Sequence, residues 1–234
     1  HKPSLERHGL KPARSIIPNP STITLDISAD ADELLMSLPQ KGRHAIRRAE
    51  RDGVSVSAVK ATDKNCRIMY GLLADTAKGQ FGIRPYRYYR SFWRRFEKAD
   101  QGQLFFAKVG STVVAGAYAM VLGKKSTYKD GASLRERPTY GASHLLQWQV
   151  IQWAKQQGAT HHDFCGSPPS DEINNPEHPH YGIGRFKLSF SRHVVDYIGC
   201  MDHVINPTAY ALWNKFGERI YHKIHYTRTK DYYY

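Results

Sequence analysis

Three cysteines in 234 residues, Cys66, Cys165 and Cys200, are odd in number and scattered, which argues against a disulfide framework and for a reducing cytoplasm. No apolar run approaches the ~20 residues that span a bilayer, and the polar N-terminus has no signal-peptide core. Internal repeats and low-complexity tracts are missing too. Acids are in short supply: 21 Asp+Glu face 34 Lys+Arg, a formal net charge of +13. With 41% hydrophobic and 24% charged residues, the chain is neither disordered nor fibrous, and its length allows one large domain or two small ones. A surface this basic attracts phosphate, whether in nucleic acid, an anionic membrane face or a nucleotide-linked substrate.

Chemistry-bearing motifs are also scarce. No Gly-x-Ser-x-Gly occurs, and Cys165 lacks a motif that would mark it as a nucleophile. His161, His162, Asp163 and Cys165, with His178 and His180 downstream, superficially resemble a zinc cluster. Their spacing matches no finger and no His-Glu-x-x-His helix, and alternation sends His161 and His162 to opposite faces of a strand, so no metal is expected.

What is present is a clear order of elements. The first twenty residues, with Pro3, Pro12, Pro18 and Pro20, read as a linker or broken piece. Ser21–Ile27 alternates as a strand; Ser28 is the expected cap of a helix to Leu38, and a basic helix runs from Lys41 to Asp52, ended by Gly53. Val54–Ala58 is a strand, Asp63–Lys78 and Tyr86–Lys98 are helices, and Gln103–Val109, Thr112–Leu122 and Ser126–Gly131 are strands joined by glycine turns. A helix over Gly141–Gln157 carries Leu145, Leu146, Val150 and Trp153 on one face. The strand Thr160–Phe164, a polar excursion through Gly182, strand segments near 194–204 and a helix opened by Asn206-Pro207 complete the chain, ahead of a basic, aromatic tail to Tyr234.

That order is the order of a GNAT-type N-acyltransferase, an α+β fold with a mixed, mostly antiparallel central sheet flanked by helices. In such a fold the sheet splays into a cleft where acyl donor meets amine, and the analogy concerns fold only. A coenzyme A enzyme of the class carries a glycine-rich pyrophosphate loop before the long helix. Here the nearest run, Arg137-Pro-Thr-Tyr-Gly141-Ala142, is one residue too long and lacks the first glycine.

Several segments resemble the Fem (FemABX) peptidyltransferases, in consistent order from about Thr22 to Gly217. They are Lys41-Gly-Arg-His-Ala-Ile-Arg-Arg-Ala-Glu-Arg-Asp-Gly-Val54, Arg84-Pro-Tyr-Arg-Tyr88-Tyr89, Tyr128-Lys-Asp-Gly-Ala-Ser133, Leu145-Leu-Gln-Trp148, Asp163-Phe164 and Gly182-Ile-Gly-Arg-Phe186-Lys187-Leu-Ser-Phe190. The resemblance implies transfer of an amino acid from aminoacyl-tRNA, as co-substrate and without another cofactor, to an amine of a peptidoglycan-precursor peptide. It implies a cytoplasmic reaction with a nucleotide- or lipid-linked muropeptide, and peripheral contact with the inner face of the membrane. Because the family carries two tandem GNAT-like domains, residues 1–52 are expected to be the tail of a first such domain or a linker with a basic helix, and residues 53–234 the GNAT-like domain. A coenzyme A-dependent N-acyltransferase and a non-catalytic tRNA- or RNA-binding remnant are the alternatives.

The candidate site residues follow. Arg43, Arg47 and Arg51 recur every four residues beside Arg48, a rail for phosphates or else a solvated helix face. Arg84 and Tyr88, four apart on one expected helix, pair a guanidinium fork with a phenol suited to phosphate or carboxylate, and the resemblance makes them acceptor contacts. Tyr128 flanks the expected cleft, where its hydroxyl serves the acceptor amine or departing hydroxyl, while neighbouring Asp130 is a turn residue or an amine-orienting group. The resemblance gives Phe186 and Lys187 roles at the tRNA end and in the transition state, a stacking face for adenine and a charge for the oxyanion. The plainer alternative is a solvent-facing strand lysine beside a core Phe.

Overall fold

A computed structural model of the chain describes residues 2–15, 19–78, 81–136 and 139–231. Pro18, the Arg137-Pro138 start of the glycine-poor run, and Tyr232 to Tyr234 of the tail lie outside the described residues. In chain order the elements are α1 (Lys2–Arg7), β1 (Leu10–Ala13), β2 (Ser21–Asp26), α2 (Ala31–Ser37), α3 (Gln40–Arg51), β3 (Val54–Val59), α4 (Asp63–Ala77), α5 (Tyr86–Lys98), β4 (Gly102–Val109), β5 (Thr112–Leu122), β6 (Lys125–Ser133), α6 (Ala142–Gln156), β7 (His161–Ser167), α7 (Tyr181–Lys187), β8 (Val194–Asp196), β9 (Cys200–His203), α8 (Pro207–Leu212) and α9 (Glu218–Thr229), with a π-helical turn at Trp213–Gly217.

Residues 21–195 form the larger of two compact units. Its seven-stranded sheet has the order β3-β4-β5-β6-β7-β2-β8. The neighbours from β3 to β6 are antiparallel, as are β7 and β2, whereas β6 and β7 run parallel. Strict alternation on the central strands supplies a core on each face. Leu104 and Phe106 of β4, with Tyr118 and Met120 of β5, pack with Met69, Leu72 and Trp93 from α4 and α5. Phe105, Ala107, Ala115, Ala117 and Ala119 pack with Ile46 of α3 and Leu145, Leu146, Trp148 and Val150 of α6. The alanine row lets α6 lie close to the sheet, with its large side chains filling the space.

The boundary expected between residues 52 and 53 falls inside this unit. Strand β2 lies between β7 and β8, with Leu25 opposite His162, and Ile46 and Ala49 of α3 are fully buried in the same core as α6. Composition marks where a linker is polar, but not which strand an early segment will pair with. The helix cap also differs. The Ser28 N–H and hydroxyl both donate to Asp26 Oδ1, at 2.9 and 2.6 Å, so Ser28 closes the turn behind it. Asp30 caps α2 instead, accepting from Glu33 N–H at 2.8 Å.

The smaller unit comprises residues 1–20 with 196–234. In it β1 pairs antiparallel with β9, Leu10 opposite His203 through Ala13 opposite Cys200. Asn206 caps α8 by accepting from Ala209 N–H at 3.0 Å, with Pro207 in the first turn, as its sequence predicts. Among the described residues no helix is long and apolar enough to cross a membrane.

Candidate active site

The parallel ladder between β6 and β7 is short. Lys125, Ser126 and Thr127 face His161, His162 and Asp163, after which β6 stays with β5 as far as Ser133 and β7 stays with β2 as far as Ser167. The strands part beyond Thr127 and Asp163, opening a cleft between them. Behind the fork, the buried His162 ring lies 2.6 Å from Ser126 Oγ and 2.7 Å from Gln147 Nε2, tying β6, β7 and α6 together. Burial pushes its pKa down to about 3, so this histidine is a neutral pin.

Lys187 reaches the β7 arm of the fork. It ends α7, a helix where a strand lysine was the plainer expectation, and it is 6% exposed. Its ammonium donates to Cys165 O at 2.8 Å and Gly166 O at 2.5 Å. Burial pulls its pKa down to about 8, with the nearby Cys165 and Asp163 opposing the fall, so the group is cationic near neutrality and close to its titration. An ammonium has three protons; the two carbonyls use two and leave one for a ligand.

Tyr128 stands on the other arm. A bulge between β5 and β6 sets Tyr118 opposite Asp130 but Ala119 opposite Tyr128, so Lys129 is the extra residue. The phenol of Tyr128 lies over Gly131, where any Cβ would overlap its hydroxyl. Burial of that hydroxyl, reinforced by the Asp130 and Cys165 charges, raises its pKa, so Tyr128 is a proton-bearing donor. Asp130 is committed elsewhere: one oxygen accepts from Trp93 Nε1 at 2.9 Å and the other from Lys129 Nζ at 3.1 Å. It is held by the fold and is not an open turn residue.

Phe186 is half-buried, its centroid 4.9 Å from the His144 ring on α6 and 5.5 Å from Phe190. The exposed ring of Tyr140 also stacks on His144, with centroids 6.4 Å apart. Arg84 and Tyr88 meet, but not on one helix: Pro85 is the cap of α5, so Arg84 precedes it. The guanidinium lies 4.5 Å over the Tyr88 ring, a cation–π contact across the helix start.

The α3 rail is divided by its own contacts. Arg43 Nη1 donates to Met36 O at 2.7 Å and Leu38 O at 2.6 Å, fastening the α2–α3 connection. Arg48 pairs with Asp52 at 2.8 Å, one turn on. Arg47 and Arg51 are exposed. The expected reading counted charges along the helix and had no means of seeing the carbonyls above Arg43.

Gly141, at φ +81°, opens α6, and a Cβ there would overlap Ala45 O of α3. The start of α6, where a pyrophosphate loop would sit in a coenzyme A enzyme, is therefore backed closely by another helix. A cavity of about 170 Å³ lined by Val56, Ala58, Phe105, Gln152 and Trp153 includes none of the expected site residues. Sequence reading weighed Cys165 for its thiol and missed its carbonyl, the Gly166 carbonyl and the Lys129 ammonium, although the histidine-rich run and the Asp163-Phe164 pair both pointed at that stretch.

Comparisons with known proteins agree with this fold. The acetyltransferase (GNAT) domain family model matches residues 40–179. The lipid II:glycine glycyltransferase of Staphylococcus saprophyticus is 36% identical over 101 residues, 42% of this chain and 23% of that protein. Its namesake from Staphylococcus epidermidis is 30% identical over 123 residues, 53% of this chain and 29% of that protein. The matches thus span under a third of those relatives. The crystal structure of FemX superposes with a TM-score of 0.76 at 19% identity, covering 90% of this chain and 69% of FemX. The chain belongs to the acetyltransferase (GNAT) domain family, and its similarity within that family runs to the Fem peptidyltransferases.

Proposed function

We propose that the chain is an aminoacyltransferase that moves an amino acid from aminoacyl-tRNA to an amine of a peptidoglycan-precursor peptide. The observation that carries this reading is the buried Lys187 ammonium, held by two backbone carbonyls where β6 and β7 part. In the reaction the acceptor amine attacks the ester carbonyl of the charged tRNA and the new C–N bond forms. Negative charge gathers on the carbonyl oxygen, the bond to the ribose oxygen breaks, and that oxygen takes a proton while the amine loses one. The ester is already activated, so positioning and oxyanion stabilisation supply most of the catalysis.

In this reading Lys187 directs its third N–H at the oxyanion. Tyr128, kept protonated by its burial, donates to the departing ribose oxygen. Phe186, with the His144 ring behind it, offers a face to the terminal adenine. Arg84 and Tyr88 take an anionic group of the acceptor, and Arg47 and Arg51 meet tRNA phosphates. Aminoacyl-tRNA is the co-substrate and no further cofactor is used. The relatives' names supply glycine and lipid II as first substrates to try; a lipid-linked acceptor sets the reaction at the cytoplasmic face of the membrane. The close backing of α6 by α3 favours this reading over a coenzyme A enzyme.

The test is transfer from a pool of mixed charged tRNAs to lipid II, run beside acetyl-CoA with the same acceptor. An aminoacylated lipid II from the tRNA arm alone is the expected result. Acyl transfer from acetyl-CoA alone, or RNA binding with no transfer from either donor, overturns the proposal.

A further inference from the structure

Asp163 is a buried carboxylate, 4% exposed, at the point where the β6–β7 ladder ends. Its Oδ1 accepts from Thr22 Oγ1 at 2.5 Å and from Cys165 N–H at 2.7 Å; its Oδ2 pairs with Lys125 Nζ at 2.6 Å. Burial alone would raise its pKa, but the bonds from Lys125, Thr22 and the Cys165 N–H outweigh that and hold the carboxyl below the usual range. It is a fixed anion with defined tasks.

One of those tasks is local. Cys165 has φ +59°, a left-handed conformation that residues with a Cβ rarely adopt. The bond from its N–H to the side chain two residues back closes an Asx turn, which anchors the chain where it enters that strained residue. The same stretch carries a bulge, because Thr22 and Thr24 of β2 face Gly166 and Asp163, two steps on one strand against three on the other.

The kink has a consequence for Lys187. In a regular strand successive carbonyls point to opposite sides, so two in a row do not converge on one ammonium. Here the carbonyls of Cys165 and Gly166 do converge, at 2.8 and 2.5 Å from Lys187 Nζ. Their mutual direction is set at Gly166 between them, and the left-handed Cys165 sets where the pair points relative to the preceding strand. Without it the pair would point elsewhere and the ammonium would lose its aim.

We propose that Asp163 is a positioning residue that holds the Cys165 turn and thereby aims the Lys187 ammonium into the cleft. It acts through backbone, without touching substrate. The inference rests on the role of Lys187 proposed above, and its test separates the two.

Single-turnover transfer from mixed charged tRNAs to lipid II is measured for Asp163→Ala, Lys187→Met and the double variant Asp163→Ala/Cys165→Gly, with folding followed by circular dichroism. Asp163→Ala is expected to lower the maximal rate by on the order of 10²-fold, the cost of misplacing a catalytic group by about an ångström, while KM for either substrate changes little. Glycine adopts the left-handed region without help. Adding Cys165→Gly should therefore recover a tenfold or greater share of the lost rate. A merely structural role for Asp163 gives the opposite outcome, since a further glycine loosens the strand; no recovery overturns the proposal. If Lys187→Met transfers at the wild-type rate, the assignment of Lys187 itself fails. If Lys187→Met is slow and Asp163→Ala is not, only the positioning role fails. Should Asp163→Ala not fold, Asp163→Asn and Asp163→Glu decide. Asn keeps the acceptor for the turn and loses the charge, whereas Glu keeps the charge and is too long for a two-residue turn. A faster Asn variant supports the proposal, and a Glu variant as fast or faster overturns it.

Discussion

Replacing Lys187 by Met separates the cost of a buried charge from its use. The fall of the Lys187 pKa from its ordinary 10.5 to about 8 corresponds to about 3 kcal/mol of disfavoured charge in the folded state, at 1.36 kcal/mol per pH unit. Removing the ammonium relieves that penalty but strands Cys165 O and Gly166 O, each costing about 1–3 kcal/mol when a buried acceptor is left unmet. These terms nearly cancel, so Lys187→Met should leave stability at pH 7 within about 2 kcal/mol of wild type. Wild type and variant should differ more in their pH dependence. Between about pH 8 and 10.5 the unfolded lysine holds a proton that the folded one has released, so wild-type stability gains up to about 3 kcal/mol from this group as pH rises through that window. The variant should lack that gain. Activity runs the other way: the wild-type rate should fall above about pH 8 as the cation discharges, and at pH 7 the variant should be slower by about 10²–10³, or 3–4 kcal/mol, the usual worth of one oxyanion donor. Urea unfolding at pH 7 and 9.5, with single-turnover aminoacyl transfer on the same samples, measures both. A variant that transfers at the wild-type rate with saturating substrates, or that keeps the alkaline gain in stability, refutes the reasoning.

Gly131→Ala should expel the Tyr128 hydroxyl from its seat, costing at least tenfold in transfer while thermal unfolding shows a fold still cooperative; an unchanged rate would take Tyr128 out of the chemistry. Arg84→Lys should weaken the muropeptide more than tRNA, because an ammonium cannot reproduce a guanidinium stacked on Tyr88; equal losses in equilibrium titrations would make the pair structural. Binding of tRNA should fall steeply between ~50 and ~200 mM salt, and Arg47→Gln/Arg51→Gln should flatten that slope by roughly two counterions. A salt-independent affinity, or a slope untouched by the two substitutions, would remove α3 from the tRNA path.

The elements of the larger unit were legible because each signal is local. Alternation from Ser21, the Asn206 cap and the glycine turns report the conformation of their own segments, and they stand as expected. Glycine at 53 and 158 ends helices for the same local reason. The Ser28 cap was misplaced because two good acceptors, Asp26 and Asp30, stand within five residues, and which one serves the turn depends on where β2 must end. Of the site, residue types were legible but their partners were not. Arg43 and Arg47 are alike as cations one turn apart on a helix, yet the α2–α3 connection folds two carbonyls over Arg43, whereas the exposed Arg47 reaches only the Met36 sulfur at 3.6 Å.

The sequence by itself determined the order of strands and helices from β2 to β7, the basic balance and the identity of the groups that can carry charge or a proton, but not α1, β1 or α7. Pairing across long separations was decided by tertiary structure alone. It set β2 beside β7 across some 140 residues, so that β2 joined the sheet and α3 its core, in a stretch that the family resemblance had assigned to a separate piece. It parted β6 from β7 after three pairs and turned Cys165 left-handed, bringing two carbonyls to Lys187. A buried ammonium is tolerated only where such acceptors meet it, and where they point depends on a left-handed turn that cysteine does not prefer on its own.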